Sequence, residues 1–198
     1  MGSGEKIIKI AVLASGRGSN FEVLVKYFSQ HQSIRVGLLI CNKGGAGVIE
    51  LAKKYDIPSL LITDWTSEGG KEILHALEAR KIDYLILAGF LKKIPVRLIE
   101  NFPRRIINLH PAMLPKFGGK GMYGDNVHMA VIKAGEKESG ITIHFVDEHY
   151  DTGDIIFQAR CPVDDSDTVE SLAGKIHSLE HHHFPAVIES VILSQNPG

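Results

Sequence analysis

The sequence predicts an α/β fold: one open, mostly parallel, Rossmann-like sheet flanked by helices, with an antiparallel hairpin toward the C-terminal side. Three observations carry that expectation. Ile7–Ala14, Ile34–Cys41 and Asp83–Ala88 are nearly continuous apolar runs of strand length, as strands covered on both faces require. Stretches with apolar residues at helical spacing alternate with them, which is the signature of strand–helix–strand units. Near the C-terminal side, Gly140–Val146 and Ile155–Val163 are separated only by a short polar turn, so they read as a hairpin at the sheet edge.

The 198 residues suffice for one domain with a sizeable core, and no linker or repeat divides them. Residues 6–194 are expected to form that domain, with 1–5 a leader or cloning scar and 195–198 a tail. Apolar residues make up 44% and charged ones 23%, and the formal charge is -1. No basic field therefore favours nucleic acid or an anionic membrane, and the expected partners are small molecules whose charge is held locally. The expected assembly is a monomer or a homodimer. Cys41 and Cys161 are too few for a disulfide framework, and no apolar run reaches membrane-spanning length or resembles a signal peptide. A cytoplasmic setting fits.

In chain order, the run ending at Ala14 meets Ser15-Gly16-Arg17-Gly18-Ser19-Asn20, after which Phe21, Leu24, Val25 and Phe28 repeat at helical spacing. Strand, glycine-rich turn and helix aim backbone N–H groups at an anion. The spacing is neither a dinucleotide fingerprint nor a Walker loop, so nicotinamide cofactors and ATP are not implied. Ser19 or Asn20 can also serve simply as N-cap. Further helices are expected at Ala46–Tyr55 and Glu68–Arg80, and a short strand at Ser59–Ile62 after Pro58. The strand Asp83–Ala88 opens into Gly89–Pro95, a short apolar and basic loop, and Pro95–Asn101 reads as a helix. In such a sheet the ligand lies beyond the strands' carboxyl ends.

The stretch Ile106–Tyr123, IINLHPAMLPKFGGKGMY, is the one around which the rest is organised. Pro111 and Pro115 forbid either strand or helix to continue. Asn108 and His110 sit two apart at a strand's end, so their side chains project from one face. An amide donor beside an imidazole suits acyl-group transfer, the amide binding a developing oxyanion and the histidine moving a proton. Asn108 as a turn cap and His110 as a satisfied buried histidine is the structural alternative. Gly118, Gly119 and Gly121 leave the backbone free to approach a ligand.

Val127, Ala130 and Val131 mark a short helix ending at Gly135, and Thr142 and His144 share one face of the strand after it. The polar turn that follows holds Asp147, Asp151 and Asp154, any of which could support an imidazole or merely close an Asx-turn. The last segment, Asp167–Leu193, has apolar residues at helical spacing and contains Glu180-His181-His182-His183. Consecutive helical residues point about 100° apart, so this triple histidine does not make a metal site. An amphipathic helix ending before Pro185 accounts for His182 and His183.

Asn-Leu-His-Pro, Leu-Pro-Lys-Phe-Gly-Gly-Lys-Gly-Met-Tyr-Gly, Ser-Gly-Ile-Thr-Ile-His and Tyr-Asp-Thr-Gly-Asp-Ile-Ile together resemble the phosphoribosylglycinamide formyltransferases of purine synthesis, from about Ile7 to Leu193. The resemblance implies formyl transfer from 10-formyltetrahydrofolate, a co-substrate, to the amine of 5-phosphoribosylglycinamide, with no metal. It implies that Asn108, His110 and Asp151 are catalytic, the Tyr-Asp-x-Gly pattern selecting Asp151, which would keep His110 charged. It places the phosphate on Gly18, Ser19 and Asn20, the ribose on Glu180, and adds His177 one turn earlier. The folate would lie on Leu91, Lys92, Lys93, Ile94 and Asn108. Lys93 departs from the family's commoner pattern, in which one basic residue is followed by an apolar one, and reads equally as a solvated lysine.

A 10-formyltetrahydrofolate hydrolase shares the catalytic constellation but has no need of Gly18–Asn20 or Glu180, and usually carries a regulatory domain. Methionyl-tRNA formyltransferases add an RNA-binding domain, and sugar-nucleotide formyltransferases a longer C-terminal region. A non-catalytic module binding a phosphometabolite or folate would not need Asn108, His110 and Asp151 together.

Overall fold

In the computed structural model, which describes residues 6–65 and 67–197, strands and helices alternate along the chain. They are β1 (Ile8–Ala14), α1 (Ser19–Phe28), β2 (Ile34–Cys41), α2 (Gly47–Lys54), β3 (Ser59–Leu61), α3 (Ser67–Ala79), β4 (Tyr84–Leu87), α4 (Val96–Asn101), β5 (Ile106–His110), α5 (Asp125–Lys133), β6 (Glu138–Phe145), β7 (Ile155–Pro162) and α6 (Val169–Gln195). The expected leader, 1–5, lies outside the described residues. The sheet runs β3-β2-β1-β4-β5-β6-β7. Neighbours from β3 to β5 are parallel, and β5–β6 and β6–β7 antiparallel.

The continuous apolar runs are explained by burial on both faces. In β1, Ile10, Val12 and Ala14 pack with Phe21, Leu24 and Phe28 of α1 and Ile188 of α6. Ala11 and Leu13 face the other way, toward Ile73 and Leu77 of α3 and Leu98 of α4. Strand order reverses at β1, whose neighbours β2 and β4 lead the chain to opposite sides. The turns after β1 and β4 therefore part there and leave a crevice. Ser15 joins its walls: its Oγ accepts from the Leu91 backbone N–H at 3.0 Å and donates to Asn42 Oδ1 at 2.6 Å.

The C-terminal helix differs from the expectation at two points. It does not end before Pro185 but continues through it to Gln195. Pro185 removes one intrahelical bond, yet it is buried in a stripe that repeats every four residues, Leu172, Ile176, Glu180, Phe184, Ile188 and Ile192. Packing of that stripe on the sheet outweighs the lost bond. The expected tail is also tied at its start: the Tyr84 hydroxyl donates to Gln195 Oε1, and Asn196 Nδ2 donates to the same hydroxyl, both at 2.9 Å.

Two glycines give opposite expectations. A Cβ on Gly140 would stand 2.0 Å from the Ala159 carbonyl oxygen and 2.7 Å from Met113 Sδ. Gly140→Ala should destabilise by about 3 kcal/mol, as overpacking against a rigid strand does. Gly174 in α6 is exposed with nothing within 4 Å of its added Cβ, and Gly174→Ala should stabilise by about 0.5–1 kcal/mol through helix propensity. Urea unfolding of both variants checks the pair; equal midpoints would contradict the β6–β7 packing.

Candidate active site

The polar residues of β5 collect where the helical layer stops. Ile107 and Leu109 enter the core with α1 and α6, leaving Ile106, Asn108 and His110 on the opposite face. Antiparallel pairing then sets Asn108 directly against His144 and His110 against Thr142. The segment 111–124 covers this polar face in place of a helix. Thr142 anchors it, its Oγ1 donating to the Ala112 carbonyl at 2.7 Å and accepting from the Leu114 N–H at 3.0 Å. Phe117, in the left-handed region at φ 55°, turns its carbonyl to His110 Nε2 at 2.8 Å. A carbonyl only accepts, so Nε2 carries a hydrogen and Nδ1 is the nitrogen free to change state.

Asp151 closes the group from the β6–β7 turn. Its Oδ2 accepts from the Gly119 backbone N–H at 2.8 Å and stands 3.6 Å from His110 Nδ1. Its Oδ1 lies 3.6 Å from His144 Nε2 and 3.4 Å from Asn108 Nδ2. His144 Nδ1 donates to the Phe145 carbonyl at 2.8 Å, which leaves Nε2 to accept from Asn108 Nδ2 at 3.0 Å. One hydrogen of the Asn108 amide is thus well bonded. The other is held only by the long contact to Asp151, and is available to an oxyanion in the cleft.

Charges within the group differ from the expectation that Asp151 keeps His110 protonated. Burial pushes the His110 pKa down, and Asp151 and the Phe117 carbonyl, both favouring the cation, do not restore it, so the net direction is downward. With the ring only 3% exposed, loss of water outweighs one carboxylate that it does not touch closely. Burial also acts against the Asp151 anion, but the His144 and His110 rings and the Gly119 N–H prevail and hold its pKa below the usual carboxylate value. These directions favour the neutral form of His110 and the ionised form of Asp151.

This group opens onto a cleft of about 710 Å³ that runs along the sheet's carboxyl ends. Gly18, Ser19, Asn20, Leu91, His177 and Glu180 line it, as do Asn108, His110 and Asp151. Gly18 stands at φ 87° before α1 and has no room for a side chain, since a Cβ would come 2.7 Å from Val48 Cγ2. No side chain caps α1, and Gly18, Ser19 and Asn20 at its N-terminus line the cleft. Asn20 Nδ2 donates to Glu180 Oε2 at 2.8 Å. Glu180 is nearly fully buried, and burial raises its pKa against the opposing pull of Asn20 and His177. The structure does not bring all of the 91–94 loop to the cleft. Lys92 and Lys93 are exposed and outside its lining, and Ile94 is buried in the core beneath α3 and α4.

His144 is the site residue that the sequence reading passed over. Its signal was present, since Thr-x-His on β6 mirrors Asn-x-His on β5, but only the antiparallel register reveals that the two motifs touch. Buried His128 on α5 also lines the cleft. Among the described residues, no group of three or more His, Cys, Asp or Glu side chains could hold a metal ion.

The chain is similar to known proteins along most of its length. Residues 8–188 match the formyl transferase family. A chloroplastic phosphoribosylglycinamide formyltransferase from Vigna unguiculata is 43% identical over 190 residues, covering 92% of this chain and 60% of the relative, so the chain spans less than two thirds of that protein. The phosphoribosylglycinamide formyltransferase of Bacillus subtilis (strain 168) is 37% identical over 195 residues, covering 96% of this chain and 97% of the relative. The crystal structure of phosphoribosylglycinamide formyltransferase from Bacillus halodurans superimposes with a TM-score of 0.86 at 35% identity, covering 94% of this chain and 96% of that one.

The charge assignment is open to direct measurement. In long-range proton–nitrogen spectra His110 should titrate below its ordinary value of 6.5, and Asp151→Asn should move it lower still, because the carboxylate is what raises it. A His110 that titrates above 6.5, or rises in the variant, would refute the neutral-imidazole reading.

Proposed function

The chain belongs to the formyl transferase family, and from that premise we propose that it transfers the formyl group of 10-formyltetrahydrofolate to the amine of 5-phosphoribosylglycinamide in purine nucleotide synthesis. Relatives named for that activity match along nearly the whole chain. The carrying observation is the continuity of the cleft: Asn108, His110 and Asp151 line the same space as the open N-terminus of α1 and the Asn20–Glu180 pair. The phosphate belongs on Gly18, Ser19 and Asn20, the ribose hydroxyls on Glu180 with His177 beside it, and the folate along Leu91 and Asn108. Lys92, Lys93 and Ile94 act through the backbone and shape of their loop. One domain over residues 6–194, working in the cytoplasm on small-molecule substrates as a monomer or homodimer, completes the reading.

The neutral state of His110 sets the order of proton transfers. The amine nitrogen attacks the formyl carbon, and the carbonyl π pair moves to oxygen. Asn108 turns its weakly held N–H to that oxyanion. His110 Nδ1 takes the proton that the amine nitrogen sheds, becoming an imidazolium beside the Asp151 anion. It then returns the proton to the folate nitrogen as the bond from that nitrogen to the formyl carbon breaks. The amine serves as nucleophile throughout, so no acyl-enzyme is required.

Purified protein with 10-formyltetrahydrofolate should release deformylated folate only when 5-phosphoribosylglycinamide is added. Folate and free formate released without the ribonucleotide would replace this reading with the hydrolase. Intact ligand binding with no turnover would replace it with a binding module. His110→Ala and Asp151→Asn should each lower kcat by about 100-fold or more. Asn20→Ala should instead raise KM for the ribonucleotide, and an unchanged KM would remove Asn20 from the phosphate site.

A further inference from the structure

Four side-chain nitrogen or oxygen atoms among the described residues are sealed from solvent without a hydrogen-bond partner, and three of them lie on α1, α5 and α6, the helices that contribute Asn20, His128, His177 and Glu180 to the cleft. These are Asn20 Oδ1 on α1, His128 Nδ1 on α5 and His181 Nε2 on α6. Asn20 and His128 themselves line the cleft. Since proteins seldom leave buried polar atoms unpaired, such a cluster marks where a bound molecule completes the bonding or reorders it.

His128 is the most informative of the three. Its ring is 3% exposed and lines the cleft, and of its two nitrogens only Nδ1 is sealed away. An orphaned lone pair costs less than an orphaned N–H, so the favoured tautomer leaves Nδ1 bare and puts the hydrogen on Nε2, toward the cleft. The groups facing the ring are Asp125 from its own first turn, which favours the cation, and His177 from α6, which disfavours it. Burial, the largest influence, also opposes the cation. His177 is in turn stacked on His181, with ring centroids 6.3 Å apart and planes 14° apart. Arg17 and Lys120, both exposed, line the same cleft, and the buried Glu180 is engaged by Asn20. The cleft's free cations and open helix N-terminus thus suit an anion, and His128 contributes a neutral, rigid donor.

We propose that His128 Nε2–H is a further binding and specificity-determining group for the substrate, donating to an oxygen of its phosphate from α5, a different element from the Gly18–Asn20 turn. The inference rests on the phosphate placement given under Proposed function. It adds a donor from a different helix, so that the phosphate is held between α1 and α5 instead of by the α1 turn alone. A neutral donor bonds the dianion without taking up a proton, and phosphate binding at pH 8 then leaves the charge of this residue unchanged.

The test needs no formyl transfer. In long-range proton–nitrogen spectra of the unliganded protein, His128 should appear as the neutral Nε2–H tautomer. Inorganic phosphate and ribose 5-phosphate should each shift that Nε2–H signal while the ring stays neutral, and ribose alone should not. His128→Phe should weaken ribose 5-phosphate binding about tenfold or more by calorimetry, and His128→Gln, which restores an N–H donor, should recover most of the loss. A neutral Nδ1–H ring, a ring that becomes protonated on binding, a signal that ignores phosphate, or full affinity in His128→Phe would each overturn the proposal. Protein that binds ribose 5-phosphate in this way yet transfers no formyl group would fail the functional reading alone. Protein that transfers formyl with His128 silent would fail this one alone.

Discussion

The carboxylate of Asp151 is the contact on which the rest of the site depends. It takes the Gly119 N–H on one oxygen and faces His110 with that same oxygen, while the other oxygen faces His144 and Asn108. The ends of β5 and β6, the segment 117–121 and the β6–β7 turn therefore share one anion. Reaching it requires backbone that few residues accept: Asp151 and Phe117 both lie in the left-handed region, at φ 58° and 55°. Glycine is required at 118, beside Phe117 and against Asp151, because a Cβ there would meet Leu114 Cδ2 at 2.6 Å and Asp151 Cβ at 3.3 Å. Strain of this kind persists where surrounding bonds over-determine it, and here the anion supplies them.

The change from parallel to antiparallel strands after β5 is what makes that arrangement possible. A parallel neighbour would need a crossover helix and would bring a helical layer over the face that carries Asn108 and His110. The antiparallel β6 instead lays His144 and Thr142 opposite them and returns the chain through a short turn that delivers Asp151. The polar face is left for an irregular covering segment, and Thr142 fixes that segment through Ala112 and Leu114. Sheet topology and chemistry are thus one feature seen at two scales.

Much of this was legible in the residues. The apolar runs of β1, β2 and β4 carry their burial in their composition, and Asn108 and His110 share a face by the period of the strand alone. Other features depend on contacts between segments far apart in the chain. His144 becomes a site residue only through its register with Asn108, 36 positions away. Pro185 argued locally for a helix end, and lost to the buried four-residue stripe of α6. The 91–94 loop was placed by resemblance as a row of contacts, whereas its own pattern of one buried residue after three exposed ones sends Ile94 to the core. The charge of His110 was the least legible, because it is decided by how much water the fold removes, a quantity that no local pattern encodes.

That charge bears on how the proposed transfer would be accelerated. Only interactions stronger in the transition state than in the ground state lower the barrier. A preformed imidazolium–carboxylate pair would be equally stable before and during reaction, and would contribute little. In the free protein the Asp151 anion stands 3.6 Å from an uncharged Nδ1, so its attraction for that ring is largely unused. As Nδ1 accepts the proton, a charge appears beside an anion already fixed by the Gly119 N–H, at the buried end of the cleft. The same burial that lowers the His110 pKa also strengthens the pair once formed, because both effects arise from the low local polarisability. The anion needs no rearrangement when the charge develops, which is the condition under which fixed dipoles and charges act most strongly on a reaction.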